Sequence, residues 1–205
     1  MKITIIIPTL NEEKYIQKCV ESVKNFKLPK EVLIETFIVD GGSNDGTIEI
    51  ISKLCENDSS IKLFHNPKKI QAAALNIGVK NSSSEWILRL DAHSVYPKNY
   101  LLLCYETALR TKADNVGGLF ITQPGDSSYQ ANVVQAITTH PFGVGNAGFR
   151  IGMPEGKADT VPYGFYKRSI FRKINFKMRD SKISPSKAEK FGIKIAKDGI
   201  LRTSS

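Results

Sequence analysis

Residues 3–7 read Ile-Thr-Ile-Ile-Ile, β-branched at every position, and Pro8 follows at once. A short run of this kind with no polar side predicts a strand buried on both faces and ended by Pro8. The next stretch, NEEKYIQKCVESVKNF (11–26), changes period. Tyr15, Ile16, Cys19, Val20 and Val23 fall on one side of a helix, with Asn11 as its cap and Glu12 and Glu13 in the dipole-favoured first turn. VLIETFIVD (32–40) predicts a second strand ending at Asp40, GGSNDG (41–46) a turn, and TIEIISKLC (47–55) a helix. IKLFHN (61–66) reads as a short strand, IQAAALNIGVKNS (70–82) as a helix of small residues able to pack closely, and WILRLD (86–91) as a strand. A helix lies within YPKNYLLLCYETALRTK (96–112), and NVGGLFITQ (115–123) enters a further strand. Strands alternating with helices predict an α/β fold on a mostly parallel, doubly wound sheet with helices on both faces.

Beyond residue 123 the pattern weakens. PGDSSYQ (124–130) and THPFGVGNAGFRIG (139–152) are loop-rich, and TVPYGFYKRSIF (160–171) returns to apolar spacing. From about residue 175 apolar periodicity fades, so the reading is one domain over 1–174 and a basic, loosely structured tail over 175–205.

Charge sharpens that division. Of a formal +9, residues 1–150 carry 16 Lys and Arg against 15 Asp and Glu, whereas residues 151–205 carry 13 against 5. The tail is either a solvated basic face or a contact for anionic lipid headgroups or a phosphorylated substrate. It has too few interleaved aromatics for nucleic acid. Cys19, Cys55 and Cys104 are odd in number, far apart and without metal-ligand spacing, which fits a reducing cytoplasm. MKITIIIP is too short for a signal peptide's apolar region, and no run approaches the length of a spanning helix.

Three strands end alike, in IIIPTLNE, FIVDGGSNDG and LRLDAHS. In an open parallel sheet, ligands bind beyond the carboxyl ends of the strands. Asp40 and Asp91 therefore fall on one rim, beside Pro8, Thr9, Asn11 and Glu12. No G-x-G-x-x-G follows the first strand and no P-loop occurs, so a Gly-rich helix start is not the main phosphate holder. An acid at a strand end points to a divalent cation, Mg²⁺ or Mn²⁺, bridging carboxylate and pyrophosphate. Asp91 and His93, alternate residues, are the candidate metal pair.

ITIIIPTLNEEKYIQKCVESV, FIVDGGSNDGTIEII and LRLDAHS together resemble family 2 glycosyltransferases of the GT-A fold, in particular bacterial enzymes of exopolysaccharide or succinoglycan assembly. The resemblance covers roughly residues 1–172. It implies a nucleotide-sugar-binding half over 1–95 and an acceptor-side half over 96–174. Pro8, Thr9, Asn11 and Glu12 would line the nucleotide pocket, and Asp40 would accept a hydrogen bond from uracil. Gly41, Gly42, Ser43 and Asp45 would shape the pocket floor, while Gln71 and Asn76 sit on a helix approaching the nucleotide. Many relatives carry Arg where this chain has Leu75. Asp91 and His93 stand at the family's D-x-D or D-x-H metal motif, and Asp91 is the candidate catalytic residue through that metal.

The family's acceptor-activating base lies in a paired-acid segment shortly after a stretch like VPYGFYKRSIFRKI. No paired acids follow here; Asp180 is the nearest carboxylate, with nothing to mark it as the base. The chain is therefore either truncated or frameshifted, or a divergent enzyme whose base comes from elsewhere. The resemblance implies inverting transfer from a nucleotide-sugar, UDP-linked by the Asp40 reading, to a saccharide or polyprenyl-linked acceptor. Its setting would be the cytoplasm, with peripheral contact at the inner membrane face through the basic tail. The alternative is a nucleotide-sugar-binding remnant without catalysis. A sugar-phosphate nucleotidyltransferase is disfavoured, because PTLNEEKY stands where its phosphate loop would be.

Overall fold

The N-terminal β-branched run forms β1 (Lys2–Thr9), with Ile3, Ile5, Ile6 and Ile7 wholly inaccessible to solvent. A computed structural model describes residues 1–124, 126–145, 147–158, 160–173 and 193–204. After β1 come α1 (Ile16–Lys24), β2 (Leu33–Asp40), α2 (Thr47–Asn57), β3 (Ile61–His65) and α3 (Gln71–Asn81). β4 (Trp86–Arg89), β5 (Ser94–Val95), α4 (Tyr100–Thr111) and β6 (Asn115–Gln123) follow. The remainder holds α5 (Tyr129–Thr139), α6 (Pro141–Val144), α7 (Gly148–Ile151), β7 (Phe165–Lys167), α8 (Ser169–Lys173) and β8 (Ile193–Ser204).

One sheet runs in the order β3-β2-β1-β4-β7-β6-β8-β5. From β3 through β4 every pairing is parallel, as the alternation of strands and helices predicts. Beyond β4 the sheet is mixed, because β7 lies antiparallel between β4 and β6, and β5 antiparallel beside β8. Alternating side chains of β1 divide the core in two. Ile3, Ile5 and Ile7 pack with Ile16, Cys19 and Val20 of α1 and with Tyr100, Leu101 and Cys104 of α4. Ile6 faces the other way, against Phe37, Val39, Ala74 and Leu75. Helices thus cover both faces.

The small residues of α3 permit this contact. A Cβ on Gly78 would come within 2.6–2.8 Å of three side-chain carbons of Ile6. At the opposite end of the sheet from the strand mouths, Thr4 Oγ1 lies 2.7 Å from Glu35 Oε1, Ser82 Oγ and Ser84 Oγ. Lys2 Nζ reaches Glu35 Oε2 at 2.7 Å, so the buried carboxylate is paired.

Four expectations need correction. β1 continues through Pro8 to Thr9, where Thr9 pairs with Asp40. The ring sits there without loss, because Pro8's missing N–H faces β4, whose pairing with β1 ends at Ile6 and Arg89. Asn11 does not cap α1: the helix starts at Ile16, and Asn11 is left-handed with φ 56°. The loop-rich stretch after residue 123 contains α5, α6 and α7, with Ser128 Oγ capping α5 by accepting from Ala131 N at 3.1 Å. Residues 193–204 of the expected loose tail form β8, consistent with the period of two across Ile193, Lys194 and Ile195. Asp180 lies outside the described residues. Among the described residues, no helix is long and apolar enough to cross a membrane.

Candidate active site

The register of the sheet brings Asp40 and Asp91 to one edge. Thr9 at the end of β1 pairs with Asp40 on one side, and on the other Ile6 pairs with Arg89, two residues before Asp91. Between these strand ends and the start of α3 lies a cavity of about 190 Å³. Pro8, Thr9, Glu12, Gln71, Asp91 and His93 line it, and with Gly41 seven sequence-predicted residues meet in one place. Gly41 lines it too, joined by Lys69 and Asn66, which the sequence pattern does not mark.

Of the remaining predicted residues, Asn11, Asp40, Gly42, Ser43 and Asp45 build the wall rather than the lining. The loop after β1 is stitched to the loop after β2 by reciprocal hydrogen bonds. Asn11 N donates to Ser43 Oγ at 2.8 Å, and Asn44 N donates to Asn11 Oδ1 at 2.9 Å. Glu12 N donates to Thr47 Oγ1 at 2.8 Å, and Gly46 N donates to Glu13 Oε2 at 2.8 Å. These bonds explain why Asn11 cannot serve α1: its amide oxygen already holds the facing loop. Asp45 Oδ1 accepts from Thr47 N and Oγ1, and the Thr47 hydroxyl is the main reason its carboxyl sits below the ordinary value.

Asp40 is 3% exposed. Its Oδ2 accepts from Gly42 N at 2.6 Å and Ser43 N at 2.9 Å, and its Oδ1 accepts from Ser43 Oγ at 2.5 Å. Gly42 takes φ 84°, a conformation that glycine adopts without steric cost. Asp40 therefore shapes the turn that ends in Gly41 and Gly42, while Gly41 is the turn residue at the cavity wall. Asn76 lies elsewhere, beside Lys80, Arg168 and Phe171 in a separate cavity of about 620 Å³ on the outer side of α3.

At the far wall Asp91 is held from two sides. Arg89 Nη2 donates to Asp91 Oδ1 at 3.0 Å, and Gln71 Nε2 donates to the same oxygen at 3.1 Å. Arg89 Nη1 also donates to Pro162 O at 2.7 Å, tying this wall to the loop before β7. Burial opposes the guanidinium charge, but the Asp91 carboxylate outweighs that effect and keeps Arg89 firmly protonated. His93 Nδ1 lies 3.0 Å from Glu12 Oε1. That hydrogen bond raises the His93 pKa above its ordinary 6.5; burial opposes it, and the charges of Glu12 and Asp91 add to it.

Sequence reasoning misses Arg89, although it ends β4 only two residues before Asp91. Lys69 is missed because nothing local reveals its φ of 57° or its approach to Gly42.

A divalent cation fits this donor set. The pair offers a carboxylate and an imidazole, and a carboxylate on the second ring nitrogen is the usual partner that aims a ligating histidine. Among the described residues no group of three or more His, Cys, Asp or Glu side chains gathers for a metal. The rest of a coordination shell would come from phosphate oxygens and water, as is common for Mg²⁺ at phosphate sites.

A family model described as "Glycosyl transferase family 2" matches residues 4–175. The chain belongs to glycosyl transferase family 2. A dolichyl N-acetyl-alpha-D-glucosaminyl phosphate 3-beta-D-2,3-diacetamido-2,3-dideoxy-beta-D-glucuronosyltransferase of Methanococcus voltae is 31% identical over 204 residues, which is 96% of this chain and 62% of that protein. The succinoglycan biosynthesis protein ExoA of Rhizobium meliloti is 40% identical over 114 residues, 55% of this chain and 34% of that protein. The chain thus spans less than two thirds of either relative.

Among solved structures, S. aureus TarS 1–349 superposes with a TM-score of 0.73 at 18% identity, covering 100% of this chain and 60% of that one. The mannosyltransferase PcManGT of Pyrobaculum calidifontis, in complex with GDP-Man and Mn²⁺, gives 0.70 at 17% identity, covering 98% and 56%. The fold of this family 2 chain is GT-A.

Proposed function

We propose that this family 2 chain is the donor-binding part of an inverting, metal-dependent glycosyltransferase that uses a nucleotide-sugar, by preference a UDP-sugar. The observation that carries the reading is that Asp91 and His93 both line the strand-end cavity, the first held by Arg89 and Gln71 and the second hydrogen-bonded to Glu12. Asp91 and His93 would hold Mg²⁺ or Mn²⁺ against the diphosphate. Bound there, the ion supplies Lewis-acid stabilisation of the charge that develops as the sugar departs. Pro8, Thr9 and Gly41 offer the wall for the nucleoside, with Asp40 fixing the turn and a uracil-facing contact proposed for it. Gly42, Ser43 and Asp45 complete that loop, Lys69 adds a positive charge near Gly42, and Asn76 lies on α3 beside the separate cavity.

The acceptor is proposed to be a saccharide on a lipid carrier, since the Methanococcus voltae relative is named for transfer to a dolichyl-linked sugar phosphate. On this reading the chain works at the cytoplasmic membrane face, and its basic C-terminal region meets the anionic surface.

A second reading is binding without turnover, favoured by the lack of paired acids within residues 173–205. Donor hydrolysis and transfer, assayed with UDP-sugars and Mn²⁺, separate the two. Turnover that falls by more than ~100-fold in Asp91→Ala supports the enzyme. UDP binding in calorimetry with no turnover supports the second reading, and no binding with or without metal refutes both.

A further inference from the structure

The backbone of Asp91 is clamped by one hydroxyl. Asp91 N donates to Tyr96 Oη at 2.8 Å, and the same Tyr96 hydroxyl donates to Asp91 O at 2.9 Å. A phenol has one proton to give and lone pairs to accept with, so both bonds form together. Tyr96 folds back five residues onto Asp91 and closes the turn that carries His93.

The clamp is rigid at both ends. Tyr96 is 3% exposed, and its ring lies among Phe26, Tyr100 and Tyr163 at centroid distances of 6.4, 6.1 and 5.6 Å. Its backbone N donates to Ser22 Oγ of α1 at 3.2 Å, and Cys19 Sγ approaches Asp91 O at 3.5 Å. Burial first, then neighbouring groups, raise the Tyr96 pKa well above 10, so the donated proton is present at any working pH.

We propose that Tyr96 is a positioning residue for metal capture: its hydroxyl fixes the Asp91–His93 turn so that both side chains face the diphosphate site. The inference rests on the metal-dependent reading given above. Arg89 and Gln71 restrain only the Asp91 carboxylate, and Glu12 only the imidazole. Tyr96 sets the backbone from which both side chains project. Outer partners of this kind typically change metal affinity by 10–100-fold.

The test is Mn²⁺ titration followed by the EPR signal of free Mn²⁺, with UDP present, on the whole chain. Tyr96→Phe keeps the ring and removes the clamp, and we expect affinity about 10-fold weaker or more, with UDP binding in the absence of metal unchanged. Phe26→Leu loosens the same aromatic cluster and leaves the hydroxyl, so it should lower the melting temperature and spare Mn²⁺ affinity. An affinity for Tyr96→Phe within about 2-fold of the parent overturns the inference, as does an equal loss in Phe26→Leu. Should Tyr96→Phe not fold, 3,5-difluorotyrosine at position 96 keeps ring and hydroxyl while altering its hydrogen-bond strength. Unaltered affinity there is equally fatal. If the parent chain takes up no Mn²⁺ with UDP, the metal reading itself fails and the inference goes with it.

Discussion

Glu12 and His93 are 81 residues apart in sequence, yet Glu12 Oε1 lies 3.0 Å from His93 Nδ1 across the mouth of the sheet. The pairing fixes the ring orientation and makes the imidazole a better base.

The first prediction follows from this pair. Metals bind neutral imidazole, and the Glu12 contact holds the His93 pKa above 6.5. Mn²⁺ affinity should therefore fall as the pH drops through that raised value, and Glu12→Gln should move the fall to lower pH. Histidine NMR titration beside Mn²⁺ binding reads both. An unmoved midpoint in Glu12→Gln would refute the pairing.

A stability prediction comes from the opposite end of the sheet. Burial raises the Glu35 pKa, but hydrogen bonds from Lys2 and Thr4 and the charges of Lys2 and Lys62 outweigh it, leaving the carboxyl below 4.5. A depressed folded pKa adds stability above the unfolded value, and that stability is lost as pH falls through the folded one. Urea midpoints should drop below about pH 4.5 in the parent chain and less so in Glu35→Gln. At pH 7, Glu35→Ala should cost about 2 kcal/mol.

Packing predicts the sign of Gly78→Ala. Alanine normally favours a helix by about 1 kcal/mol over glycine. Here its methyl would meet Ile6 at 2.6–2.8 Å, and β1 is central to the sheet. Overpacking of about 1–3 kcal/mol should outweigh the propensity gain, so the melting temperature falls. A rise would show that α3 can shift freely.

Arg89→Lys should fail to conserve function. A lysine ammonium keeps the charge but lacks the fork that reaches Asp91 Oδ1 and Pro162 O together. We expect turnover to drop about 10-fold with little change in UDP affinity, read as a kcat against KM split. Equal kinetics would remove Arg89 from the site.

Local pattern made much of this molecule legible. The β-branched run at 3–7 and the mostly apolar run at 86–90 carry their own strand signal, and the strand-end rule then places Asp91 and His93 at one cavity with Thr9 and Glu12. What stays hidden depends on distant partners. Asn11 has every local property of a cap, and only the loop at 43–47 explains why it is used otherwise. Arg89 looks like a strand residue until Pro162 arrives from 73 positions away. β7, at three residues, is too short for any period to announce it. The apolar company of Tyr96 hides the hydroxyl that grips Asp91.

That short strand has a practical corollary. Because Phe165–Lys167 slots in beside β4, a polypeptide stopped near residue 95 would bare one side of β4's ladder and invite intermolecular pairing. Any chimera that joins residues 1–95 to another protein would have to carry this seam across intact. Residues 161–167 are the hinge-pin of any such chimera, since Gly164 O also receives Arg89 N at 3.0 Å.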